Sequence, residues 1–142
     1  MMTNISQISV FLANEPGQLT RVTSILSRAG VNLRAFTITE SGDFGIIRLI
    51  ADDPGRAHET LNEQGLTASQ TEVIGIRILD SPGELDRVTR ALSDEMININ
   101  YAYVGVAGDG DVLLILKLDN AGRATEVLGS LGIKVLSQAD LK

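Results

Sequence analysis

The chain repeats itself. Residues 14–38 read NEPGQLTRVTSILSRAGVNLRAFTI and residues 80–104 read DSPGELDRVTRALSDEMININYAYV. At an offset of 66, nine of these 25 positions are identical, among them Pro16/Pro82, Gly17/Gly83, Leu19/Leu85, Thr23/Thr89, Ser27/Ser93 and Asn32/Asn98. Residues 55–66, GRAHETLNEQGL, match residues 122–133, GRATEVLGSLGI, at an offset of 67. A repeat on this scale makes one plan account for both halves. The plan divides the 142 residues into 1–71 and 72–142, each half being small for a domain.

Within each half the hydrophobic period changes in the same order. Ile8, Val10 and Leu12 alternate with Ser9 and Phe11, as Ile74, Ile76 and Ile78 alternate with Gly75 and Arg77, which predicts strands. Pro-Gly then opens a helix, with the proline expected in the first turn and Ser81 with Glu84 expected as a capping box. Leu19, Val22, Leu26 and Ala29 form a helical stripe, repeated by Leu85, Val88, Leu92 and Met96. Gly30 closes the first helix; in the second copy the turn falls to Asn98 itself, since no glycine precedes it. Strands over 32–40 and 44–51 have counterparts over 98–106 and 111–118, the latter joined at the hairpin signal Gly108-Asp109-Gly110. Asp53 and Asn120 are expected to cap a second helix, and strands near 66–71 and 133–138 close the copies.

The order β-α-β-β-α-β, twice, predicts an α+β fold of two tandem ferredoxin-like units, with antiparallel sheets and helices on one face. Strand 66–71 runs almost into strand 73–79, so the two either form one bent strand or exchange a terminal strand. In strand 112–118, Leu113 and Ile115 are apolar on the face opposite Val112, Leu114, Leu116 and Leu118. A half-solvated sheet alternates more cleanly, so this face is expected to be covered by another protein surface. A homodimer or larger assembly follows as an expectation.

Composition narrows the chemistry. There is no cysteine, one histidine, no tryptophan and an aromatic share of 4%. This excludes disulfides, thiolate sites, histidine metal clusters and base-stacking platforms. The net charge of −6, from 7 acids and 5 bases in the first half and 11 and 7 in the second, opposes nucleic acid and anionic membranes. The RNA-recognition motif shares the predicted topology, but strand 43–49 lacks its aromatic and basic residues. No apolar stretch approaches ~20 residues, and the first residues have no basic, apolar leader pattern, so a cytoplasmic chain is expected. His58 reads as a surface residue, and Asp52 and Asp53 as a cap rather than a metal site. No metal, cofactor or enzymatic machinery is expected.

Two recurring features remain. The loops Asn14-Glu15-Pro16-Gly17 and Asp80-Ser81-Pro82-Gly83 stand between a strand and a helix N-terminus, where free N–H groups and the dipole favour a carboxylate. Asn32 and Asn98 open a strand, against strand propensity. Each feature has an ordinary structural reading as a cap or turn. Together, the succession N-x-P-G-x-L, amphipathic helix and G-V-N-L resembles the ACT domain, twice over nearly the whole chain.

The resemblance implies a stand-alone tandem pair of regulatory domains that binds a free amino acid at an interface between paired domains and signals its level allosterically. It also implies a regulated enzyme as partner. In serine-inhibited phosphoglycerate dehydrogenases, one ligand-binding asparagine stands in the first loop and another opens the second strand; Asn14 and Asn32 match both. Leu12 and Ile78 stand where those enzymes carry a histidine, which puts serine specificity in question. The implied ligand-binding set is Asn14, Glu15, Gly17, Gln18, Leu19 and Asn32 in the first copy, and Asp80, Gly83, Glu84 and Asn98 in the second. The contrasting reading is a ligand-free interaction or oligomerisation module.

Overall fold

The computed structural model describes residues 4–141, so the outer ends of both expected domains, residues 1–3 and 142, lie outside the described residues. The elements in chain order are β1 (Ile5–Ala13), α1 (Gln18–Arg28), β2 (Leu33–Ser41), β3 (Phe44–Ala51), α2 (Pro54–Glu63), β4 (Thr67–Ile78), α3 (Glu84–Asp94), β5 (Ile99–Gly108), β6 (Asp111–Leu118), α4 (Ala121–Ser130) and β7 (Val135–Leu136), with a closing 3-10 turn at Gln138–Leu141. The described residues form an α+β fold, with four α-helices and antiparallel strand pairings among them. Two compact units divide at Thr71 and Glu72, and Asn4 and Ile5 group with the C-terminal unit.

In the N-terminal unit β3 pairs antiparallel with both β1 and β2, in the order β1-β3-β2. Serine 6 donates its Oγ proton to Gln70 Oε1 at 2.7 Å, beside the start of β4. Ile8, Val10 and Leu12 share a face with Ile47 and Leu49, and Val22, Ile25 and Leu26 of α1 and Ala57 and Leu61 of α2 close over that face. Asp53 caps α2, accepting from the Arg56 N–H at 3.1 Å, and Pro54 takes the first-turn position where no N–H is needed.

The C-terminal unit has the order β5-β6-β4-β7. Its core joins Ile74, Ile76, Leu114 and Leu116 to Val88 and Leu92 of α3 and Leu128 of α4. Asn120 caps α4 through the Arg123 N–H at 3.0 Å. Asp109 and Gly110 both have positive φ, 54° and 81°, so the β5–β6 connection is the two-residue Asp-Gly hairpin.

The strands expected at 66–71 and 73–79 are one strand, β4, the first of the two alternatives expected. Four expectations are corrected. Pro16 and Pro82 stand outside their helices, because Gly17 and Gly83, at φ 90° and 89°, are the N-caps. No capping box forms: Ser81 offers its carbonyl to the Glu84 N–H at 3.3 Å, and no side chain caps α3. The last strand is only Val135–Leu136, because Ser137 N–H and Oγ both turn to Asp140 Oδ2 at 2.8 and 3.1 Å. Finally, Leu113 and Ile115 are fully buried within this chain and need no outside surface. Gly75 makes room there: a Cβ at that position would overlap Ile5 Cδ1, with Ile115 and Leu113 methyls at 3.5 and 3.6 Å.

Candidate functional site

The first loop is built from β1 outward. Asn14 donates its backbone N–H to Asp43 O at 2.8 Å, which ties the end of β1 to the β2–β3 hairpin. Its side-chain amide donates to Glu40 Oε2 at 3.2 Å and Gly42 O at 3.1 Å, so Oδ1 is left without a donor among the described residues. Gly17 turns the chain into α1 in the left-handed region, which favours glycine. Gln18 N–H reaches Glu15 O at 3.4 Å, and Arg21 N–H reaches Gly17 O at 3.0 Å. The N–H groups of Leu19 and Thr20 between them have no acceptor among the described residues. No acidic residue stands in the first turn of α1. This helix end retains its capacity for a carboxylate.

The second loop differs in charge. Asp80 is exposed and has no partner among the described residues, and Glu84 and Asp86 stand in the first turn of α3. Glu84 also pairs with Arg87 at 3.6 Å. Asp86 pairs with Arg90 at 3.3 Å, so Asp80 is the carboxylate left uncompensated at this helix N-terminus, and it repels an incoming anion.

The asparagines open grooves at the other ends of these helices. In the N-terminal unit a groove of about 350 Å³ is lined by Thr23, Ser27, Gly30, Val31, Asn32 and Leu33. In the C-terminal unit a groove of about 410 Å³ is lined by Thr89, Ser93, Met96, Ile97, Asn98 and Ile99. These are the corresponding positions of the repeat. The backbone of each asparagine is pinned. Asn32 N–H donates to Asp52 Oδ1 and its carbonyl accepts the Asp52 N–H, both at 3.0 Å. Asn98 and Asp119 repeat the pair at 3.2 and 3.3 Å. Neither asparagine side chain has a partner among the described residues, nor does the hydroxyl of Ser27 or Ser93. Each groove therefore presents a free amide and a free hydroxyl on a fixed backbone.

One unit does not bring its two asparagines together. β1 and β2 are both antiparallel to β3, so the end of β1 and the start of β2 lie at opposite ends of the sheet. Seven steps of β3 separate Phe44, beside Ala13, from Ala51, beside Leu33. At ~3.3 Å per residue that is about 23 Å. Asn14, Glu15, Gly17, Gln18 and Leu19 form one cluster and Asn32 stands apart; Asp80, Gly83 and Glu84 likewise stand apart from Asn98.

Two contributors were missed from sequence. Asp52 and Asp119, corresponding positions directly before the helix caps, hold the asparagine backbones. Met96 adopts φ 59° where the first copy has Gly30 at φ 76°, and so supplies the turn that was assigned to Asn98. The gap at the Gly30 position was the available signal. His58 is half-buried rather than a surface residue: its Nε2 lies 3.1 Å from Ala68 O and joins α2 to β4. Among the described residues no group of three or more His, Cys, Asp or Glu could hold a metal, and no helix is long and apolar enough to cross a membrane.

Comparison with known proteins agrees with this architecture. None of the curated proteins matches the chain. Among solved structures, protein BT0572 from Bacteroides thetaiotaomicron is similar at 34% identity and TM-score 0.90, over 98% of this chain and 96% of that one. The ligand-free regulatory subunit of aspartate kinase from Thermus thermophilus is similar in fold, at 17% identity and TM-score 0.66 over 88% and 91%. That from Thermus flavus follows at 16% and 0.62, over 89% and 90%. The family model described as an ACT domain pair matches residues 2–142, and the chain therefore belongs to the ACT domain pair family.

Proposed function

We propose that this chain is a non-catalytic regulatory protein of two ACT domains, 1–71 and 72–142, that binds a free amino acid and reports its level to a partner enzyme in the cytoplasm. The observation that carries the reading is the pair of asparagine side chains left free on pinned backbones, at corresponding positions of both units. A strand-opening asparagine that served only to turn the chain would not need Asp52 or Asp119 to hold it. Membership of the family supports the regulatory role.

The chemistry divides between the ends of α1. Its N-terminus, with free N–H groups at Leu19 and Thr20, suits a carboxylate. Its C-terminal groove, at the negative end of the dipole and beside Asn32 Oδ1, suits an ammonium group. Because these lie about 23 Å apart along the strands, the loop of one protomer completes the groove of its partner in a homodimer. Phe36 and Ile38 of β2, half-exposed on the helix-bearing face, and Val104 and Val106 of β5 support such an assembly. The same residues favour the second reading, a ligand-free oligomerisation module. A thermal-shift screen of the twenty amino acids separates them. Under the sensor reading one amino acid at about 100-fold over its Kd adds roughly 2.7 kcal/mol, and Asn32→Ala removes the shift without unfolding the chain. If no amino acid shifts the melting temperature while light scattering still shows a dimer, the module reading stands instead.

A further inference from the structure

All three phenylalanines of the chain are at least half-exposed, and two of them share a face that the proposed ligand grooves do not use. Phe11 is 50% exposed and Phe44 64%. Phe11 stands opposite Ile46, two residues from Phe44 on β3, so both lie on the sheet face turned away from α1 and α2. The repeat supplies an internal control. The corresponding residues of the C-terminal unit are Arg77, opposite Leu113, and Asp111, two residues before Leu113. There the pair is a salt bridge, Arg77 Nε to Asp111 Oδ2 at 2.8 Å, reinforced by Asp109 at 3.2 Å. The same place on the same scaffold is closed by charge in one copy and left apolar in the other. The scaffold thus tolerates a polar pair here, and the phenylalanines are not there to hold the fold.

We propose that Phe11 and Phe44 form a docking surface for a short apolar segment of a partner protein that carries lysine or arginine beside its apolar residues. Charge argues for the basic flanks. The loop and hairpin tip at this end carry Glu15 and Asp43, which have no cationic partner among the described residues. On this face of β3 the next cation, Arg48, is half-buried and donates to Thr39 Oγ1 at 3.3 Å. Area argues against a second copy of the chain. Two half-exposed phenylalanines offer on the order of 200 Å², while a stable dimer buries about 800 Å² per partner. A symmetric contact would also bring the carboxylates of both copies together, on a chain of net charge −6.

The inference is independent of the amino-acid reading. Its test uses the full chain, labelled with nitrogen-15, titrated with a short synthetic peptide of alternating lysine and leucine and with a glutamate–leucine counterpart. The lysine peptide should shift amides over 9–15 and 41–48, more weakly as salt rises, and the glutamate peptide should not. Phe11→Arg with Phe44→Asp transplants the other unit's ion pair; it should keep the fold and lose affinity roughly tenfold, the scale of a lost central aromatic contact. Phe11→Ser with Phe44→Ser should do the same without new charges. Unchanged binding by both folded variants, shifts spread elsewhere, or equal binding of both peptides would overturn the proposal. So would concentration-dependent self-association that either variant abolishes, which would assign the face to a second copy.

Discussion

Met96→Gly should stabilise the protein, although it removes a whole side chain. Both first helices of the repeat end in the same hydrogen-bonded turn. Val31 N–H reaches Leu26 O at 2.9 Å and Gly30 N–H reaches Ser27 O at 3.0 Å; Ile97 and Met96 repeat the pair with Leu92 and Ser93, both at 2.9 Å. This pattern requires a left-handed residue before the last donor, a position that suits glycine. Met96 holds it at φ 59° with its side chain 89% exposed. The left-handed conformation costs a residue with a Cβ about 1–2 kcal/mol. Glycine relieves this but adds about 0.4–1 kcal/mol of unfolded-state entropy. The side chain is so exposed that its lost burial is worth only ~0.2–0.3 kcal/mol. The net gain is about 0.5 kcal/mol, or ~1–4 °C depending on whether the units melt together. Calorimetry on parent, Met96→Gly and Met96→Ala reads it. Alanine keeps the strain and loses the side chain, so it should lie within a few tenths of a kcal/mol of the parent. The reciprocal Gly30→Ala, at φ 76° with open space around it, should cost ~1 kcal/mol. If Met96→Gly and Met96→Ala destabilise equally, the side chain has a stabilising role that its exposure denies, and the reasoning fails.

Gly75→Val should cost ~1–3 kcal/mol in chemical denaturation, because the added atoms meet the buried Ile5 side chain; a change under 0.5 kcal/mol would refute that packing. Asn120→Ala, which removes the cap on α4, should cost about 1 kcal/mol by the same measurement, whereas Asn32→Ala, whose side chain caps nothing, should leave stability nearly unchanged. The Asp140 carboxyl is held below the ordinary aspartate value, first by the Ser137 backbone N–H and then by its hydroxyl. A depressed folded-state value means that its contribution is present above ~3.9 and lost as pH falls through the folded value. Carbon-13 titration should find Asp140 below the usual range and closer to it in Ser137→Ala; a normal value in the parent would remove the turn from the account.

The fold was legible where local signals and burial agreed. The alternation in β1 and β4, the caps Asp53 and Asn120 and the Asp109-Gly110 turn are all short-range statements, and the structure has them at those positions. Of the stripes, Val22 and Leu26 of α1 and Val88 and Leu92 of α3 are buried, while Leu85 is half-exposed and Met96 lies beyond the helix. The misreadings arose where a glycine overrode a polar motif. Ser81-x-x-Glu84 has the composition of a capping box, but Gly83 enters the left-handed region first and moves the helix start past the serine. Proline before that glycine is then outside the helix. The burial of Leu113 and Ile115 was misattributed for a different reason: a pattern that is apolar on both faces states that cover exists, not which chain provides it. For the candidate site, the positions of the loops and of the strand-opening asparagines were legible and the distance between them was not. Spacing in sequence counts Asn14 and Asn32 as neighbours across one helix, but β1 and β2 run in the same direction, so the helix returns the chain to the far end of the sheet.

That geometry explains how a duplicated scaffold can keep its backbone and change its chemistry. The turn after α1 and α3, the aspartate that pins the following asparagine and the cap on the next helix are the same in both copies, to within a few tenths of an ångström in hydrogen-bond length. Between those fixed points the charges diverge. α1 begins with no carboxylate in its first turn, whereas α3 begins with Glu84 and Asp86 beyond Asp80. Free backbone N–H groups attract an anion in the first case and are screened from it in the second. The loops therefore differ in kind although the grooves correspond. An arrangement in which α1 loops receive the carboxylate uses the Asn32 and Asn98 grooves unequally. The grooves differ in lining as well, Gly30 in one standing where the exposed Met96 stands in the other.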